Sequence, residues 1–187
     1  MRTSFRAAAV ALVVAIGLTA SGCATDDPAP KPSTSTSAAP LFASDEEALA
    51  AAEEAYAAYL AVSDAILMEG GADPERLLEV ATLPVFDVQA EGYETAAAND
   101  WTSTGGTAVD TVSLVGYDPL ASEEVVTIYA CIDVSKVDVF DPDGQSVVSQ
   151  SRPDRTPVVS TFDKSSSTPS GLIFSGEMTW TGENFCI

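Results

Sequence analysis

The chain has 187 residues, with 28 Asp and Glu against 8 Lys and Arg, no His, 3 Cys and a formal net charge of −20. That length suits one domain with a dispensable end rather than two full domains. The acid excess excludes a nucleic-acid partner, which needs a basic patch to neutralise phosphates. The lack of histidine excludes a Ser-His-Asp triad, a His-ligated zinc and imidazole acid–base chemistry. No metal or cofactor is expected: no acidic or cysteine cluster has ligand spacing, and no glycine loop joins a strand to a helix to cradle phosphate.

Residues 1–22 read as an export signal. Arg2 and Arg6 give a positive start, and the apolar run from Ala7 to Ala20 is too short to span a bilayer, which takes roughly 20 residues. The run ends in Thr19-Ala20-Ser21-Gly22-Cys23, small residues leading into a cysteine. This resembles the lipobox of bacterial lipoproteins, with Ala20 at a position where Leu is usual. The resemblance implies cleavage before Cys23, a diacylglyceryl group on its sulfur, and a protein lipid-anchored on the extracytoplasmic face of the cell membrane. Two acyl chains give a stable anchor where one is marginal. The acidic surface itself disfavours contact with anionic lipid.

Residues 23–43 form a Pro/Ser-rich tether. Pro28, Pro30, Pro32 and Pro40 and the Ser/Thr run 33–37 leave no apolar periodicity with which to bury a core. At about 3.1 Å per residue, such a segment reaches at most roughly 60 Å.

The folded domain is expected over 44–187. Ser44-Asp45-Glu46-Glu47 is a capping box, and Leu49, Ala52, Tyr56, Tyr59, Leu60, Ile66 and Leu67 then mark one face of a long helix. Gly70-Gly71 ends it. Asp73-Pro74 restarts a short helix with Asp as its cap, and a third runs from Pro84 to about Asn99 with Val85, Val88 and Tyr93 inward. From Trp101 the period becomes two. Strands are expected over 110–115 and 125–134, the latter bending at Ser135-Lys136 into Val137 and Val139. Asp141-Pro142-Asp143-Gly144 reads as a turn rather than a calcium loop, which would need more oxygen ligands and a terminal Glu. Further strands are expected at 158–162 and 172–180, with Leu172, Phe174, Met178 and Trp180 on one face.

Helices followed by long antiparallel strands indicate an α+β domain, with N-terminal helices packed on a curved antiparallel sheet. This order, with the strand segment Ala130-Cys131-Ile132-Asp133, resembles the nuclear transport factor 2-like cone fold. It is similar to lipoproteins of high-GC Gram-positive bacteria in which a lipobox and Pro/Ser tether precede such a domain. The resemblance implies a pocket between helices and concave sheet, and Tyr56, Tyr59 and Trp101 are expected near its mouth.

With Cys23 acylated, Cys131 and Cys186 remain, and outside the cytoplasm such a pair is expected to form a disulfide. Relatives in the cone-fold superfamily include ketosteroid isomerases and dehydratases, whose chemistry needs a carboxylate base and a neutral donor. Tyr56, Tyr59, Tyr93 or Tyr129 offers a donor, and Asp64, Asp87 or Asp133 a base. No isomerase motif transfers residue by residue, and the dehydratase histidine is absent. The expected function is therefore non-catalytic: binding a small apolar ligand or a cell-envelope protein partner. The alternatives are an isomerase- or dehydratase-like enzyme and a purely structural envelope module.

Overall fold

The computed structural model describes residues 39–186. The export signal 1–22, Cys23 and most of the tether lie outside the described residues. The last tether residues belong to the fold: Leu41 and Phe42 pack against the core, and the Phe42 amide donates to the Tyr117 hydroxyl at 2.7 Å. The domain thus begins before the cap predicted to open it.

Helix α1 spans Asp45–Met68. Ser44 Oγ accepts from the Glu47 amide, while the Glu47 carboxylate accepts from the Ala43 amide, one residue earlier than in a standard capping box. Ala48, Ala52, Tyr56, Tyr59 and Ile66 form its buried stripe. The helix stops at Gly70 and Gly71, which have φ of 71° and 82°. A Cβ at Gly71 would overlap the Tyr93 carbonyl, so two local demands fix glycine there.

Pro74–Glu79 forms a 3₁₀ helix. Asp73 precedes it in a left-handed conformation (φ 47°) and makes no side-chain cap, contrary to the expected role. Helix α2, Leu83–Ala98, buries Val85, Tyr93 and Ala96. Val88, expected inward, is 74% exposed. It lies three residues from Val85, but the sheet is covered mainly by α1, leaving α2 a narrower buried stripe.

The main sheet is antiparallel in the order β2-β3-β5-β6, from β2 (Ala108–Tyr117), β3 (Val126–Asp133), β5 (Arg155–Lys164) and β6 (Leu172–Thr179). A separate two-stranded sheet joins β1 (Thr102–Thr104) to β4 (Asp138–Phe140). The Val137–Val139 segment therefore leaves the main sheet instead of continuing β3 around a bend. Asp141–Gly144 is a turn whose Asp141 Oδ1 accepts from the amides of Asp143 and Gln145, so that oxygen serves the backbone.

Val126, Ile128 and Ala130 of β3 meet Val158, Ser160 and Phe162 of β5 and Leu172 and Phe174 of β6 on the face covered by α1. The domain is α+β, with N-terminal helices packed on a curved antiparallel sheet. Between Thr161 and Phe162 the β5–β6 register slips, so Gly176 pairs with Thr161 and Phe174 with Phe162. Ser175 is the extra residue, and the slip exchanges the faces of everything after it. Met178 consequently points away from Leu172 and Phe174 and is 68% exposed, correcting the single face expected for the strand.

On the opposite face, Cys131 of β3 is joined to Cys186, with Cα atoms 5.5 Å apart. The C-terminal tail crosses the outer face of β5 to reach it. Among the described residues, no helix is long and apolar enough to cross a membrane.

Candidate functional site

The three residues expected to share a pocket mouth are separated. Tyr56 and Tyr59 lie one turn apart on α1, buried, with rings 6.2 Å apart and nearly parallel. Trp101 follows α2, with its carbonyl against Gly70 beyond the far end of α1, about 20 Å along the helix from Tyr56. The concave interior is largely filled. Tyr59 stacks on Phe174 at 4.0 Å between centroids, Tyr56 on the same ring at 5.4 Å, and Phe162 meets both Tyr56 and Phe174 edge-on.

The register slip in β6 turns Glu177 onto this inner face, opposite Ser160. Its Oε2 accepts from the Tyr56 hydroxyl and, at 3.1 Å, from Ser160 Oγ, a residue fully shielded from solvent. Desolvation raises the carboxyl above its ordinary value, and the two hydrogen bonds oppose that rise. More than a third of the residue as a whole remains exposed along the sheet edge, which tempers the effect. Burial, together with the Glu177 charge, pushes the Tyr56 hydroxyl well above the ordinary phenol range, so Tyr56 is a firm donor. The Tyr59 hydroxyl, raised by the same two causes, accepts from Gln89 Nε2 at 3.2 Å. Glu177, Tyr59, Gln89, Val85 and Phe174 border a cavity of about 330 Å³.

A larger cleft, about 640 Å³, opens on the other side of α1, against β2. Tyr56, expected at a pocket, lines it with Ala57, Leu60, Val109, Val112 and Ile128 as the floor, and Glu53, Asp64 and Asp110 stand along its rim. Asp64 accepts from the Thr107 amide at 2.7 Å and from Thr107 Oγ1 at 2.9 Å, tying α1 to the start of β2. Asp110 takes Arg155 Nη2 at 2.6 Å, and the same guanidinium reaches Asp133 at 3.0 Å. The Arg155 hydrogen bond holds the Asp110 carboxyl below its usual range. Thr111, on the cleft wall, has φ 53° where β2 bulges between Asp110 and Ser113. For a β-branched residue that is a costly conformation, retained because the bulge demands it.

Of the carboxylates proposed as bases, Asp64 is held by Thr107, Asp133 by Arg155 and the Ser135 amide, and Asp87 is exposed on α2. The Tyr93 hydroxyl pairs with Ser63 Oγ at 2.8 Å, and Tyr129 is on the outer face of the sheet. The carboxylate that does meet a tyrosine is Glu177, which strict alternation places on the wrong side. Gly176 was the signal available for it, since glycine inside a strand marks a bulge. Among the described residues, no group of three or more acidic or cysteine side chains could hold a metal ion. No family model matches this sequence, and no curated protein matches it significantly.

Proposed function

We propose that the chain is a membrane-anchored extracytoplasmic lipoprotein, held by a diacylglyceryl group at Cys23, whose domain binds a small apolar ligand without transforming it. The observation that carries this reading is the open cleft between α1 and the bulged strand β2. Its volume of about 640 Å³ falls within the roughly 300–1,000 Å³ of small-molecule sites, and its floor is apolar. Asp64 and Asp110 on its rim are already engaged by Thr107 and Arg155, which suits fixed walls better than proton transfer.

The test is native mass spectrometry of the full chain released from its host membrane, alongside a Leu60→Trp variant that fills the cleft. The parent should retain a small apolar molecule that the variant loses while keeping its unfolding transition. Equal retention by both would refute the cleft as the site. A co-purifying envelope protein in place of a small molecule would move the reading to a protein partner.

A second reading, the carboxylate-base enzyme, rests on Glu177 beside the smaller cavity. Against it, Tyr56 donates its hydrogen bond to Glu177 itself, so the firmest donor of the isomerase-type arrangement is engaged within the pair. The purely structural envelope module is favoured by the filled aromatic interior, and would bind nothing at either cavity.

A further inference from the structure

The outer face of the sheet carries a second aromatic cluster, which, unlike the buried interior one, borders open space. Tyr129 projects from β3 on the side of Cys131, Trp180 follows β6, and Phe185 precedes the bonded Cys186. The Tyr129 and Trp180 rings are 5.0 Å apart at 66°, and Tyr129 and Phe185 are 5.7 Å apart at 61°. Inside the domain Tyr56, Tyr59 and Phe174 stack within about 20° of parallel and Phe162 closes on them edge-on, and all four rings are buried. Here two rings stand steeply against a third, all three are only half-buried, and they border a cavity of about 430 Å³ with Glu183 and Asn184.

We propose that this corner binds a quaternary ammonium cation of the choline type. Aromatic faces carry negative potential, and several rings converging at steep angles are the arrangement that receives such cations. A trimethylammonium group spreads its charge over methyls and donates no ordinary hydrogen bond, so walls of ring carbon suit it better than they suit a strongly hydrated primary ammonium. The Glu183 carboxylate adds attraction, no Lys or Arg is among the lining residues, and the chain's charge of −20 favours cations throughout.

The walls are preorganised. The Trp180 indole N–H donates to the Glu183 carbonyl at 3.1 Å, which fixes the ring's orientation. The tail turns so tightly at Gly182 that a Cβ there would overlap the Trp180 ring. Phe185 is held one residue from a covalent bond to the sheet. A site built in advance loses little freedom on binding.

The experiment is isothermal titration of the full chain, in maltoside micelles, with choline and with its uncharged carbon isostere 3,3-dimethylbutan-1-ol. Choline should bind about tenfold more tightly than the isostere. Affinity should fall in the order parent, Trp180→Phe, Trp180→Leu, because leucine keeps apolar surface but has no ring face. Glu183→Gln should weaken choline about threefold and reduce its salt dependence. Glu183 is exposed and accepts the Trp180 bond through its backbone carbonyl, not its carboxylate, so this variant keeps the test valid if the Trp180 variants fail to fold. Competition by mixed micelles containing phosphatidylcholine but not by those containing phosphatidylglycerol would identify the ligand as a lipid headgroup, and competition by neither would identify a free solute. Equal affinity for choline and the isostere, or no choline binding by the folded parent, would overturn the proposal.

Discussion

Replacing both Cys131 and Cys186 with alanine tests how the C-terminal tail contributes to stability. The bond closes a loop over a sequence separation of 55 residues. In the chain-entropy relation, a loop of that length constrains the unfolded chain by about 4 kcal/mol at 25 °C. A domain of this size has roughly 5–15 kcal/mol of total stability, so the loss is a large fraction of it. At about 2–4 °C per kcal/mol, the melting temperature should drop by roughly 8–16 °C. Scanning calorimetry of the oxidised parent and the double variant measures this directly. Urea unfolding supplies the independent check: an unlinked denatured chain is more extended, so the slope of stability against urea should steepen. A melting temperature within about 3 °C of the parent, with an unchanged urea slope, would refute the reasoning.

Two further predictions concern Glu177 and the anchor. Burial raises the Glu177 carboxyl in the folded state, so the folded protein holds that proton more tightly than the unfolded chain does. The associated stability is therefore full below the ordinary carboxylate value and is lost as pH rises through the elevated one. Glu177→Gln, which still accepts from Tyr56, should flatten the fall in melting temperature as pH rises above the ordinary carboxylate value, and superimposable profiles would show the carboxylate is not the titrating group. Cys23→Ala should shift the protein from membrane to soluble fractions on cell fractionation, and continued membrane association would place the anchor elsewhere.

The parts of this fold legible in the sequence are those with local causes. Ser44 and Glu47 announce the start of α1, Gly70-Gly71 its end, and unbroken alternation in β3 gives its inward and outward faces. Where a contact between distant segments decides, the sequence is silent. The slip at Ser175 arises in pairing between β5 and β6, and it sends Glu177 inward and Met178 outward. The diversion of Asp138–Phe140 to β1 likewise depends on where the segment 102–104 lies. The candidate site suffered most, because Trp101 is adjacent to Tyr56 in no geometric sense and the carboxylate beside Tyr56 is a glutamate 121 residues away.

The two outer strands of the main sheet differ from ordinary sheet edges in one respect that bears on how copies of this protein coexist. An unpaired strand is a template on which another chain can extend the ladder. Along β6, the amide and carbonyl of Phe174 are already taken by Val80 and Thr82. Along β2, register breaks after Asp110 and after Leu114 divide the ten-residue strand into pieces too short to pair continuously with a straight newcomer. The Thr111 backbone conformation, costly to the single molecule, belongs to a break that shortens the ladder a second copy could extend, and the net charge of −20 adds repulsion between copies.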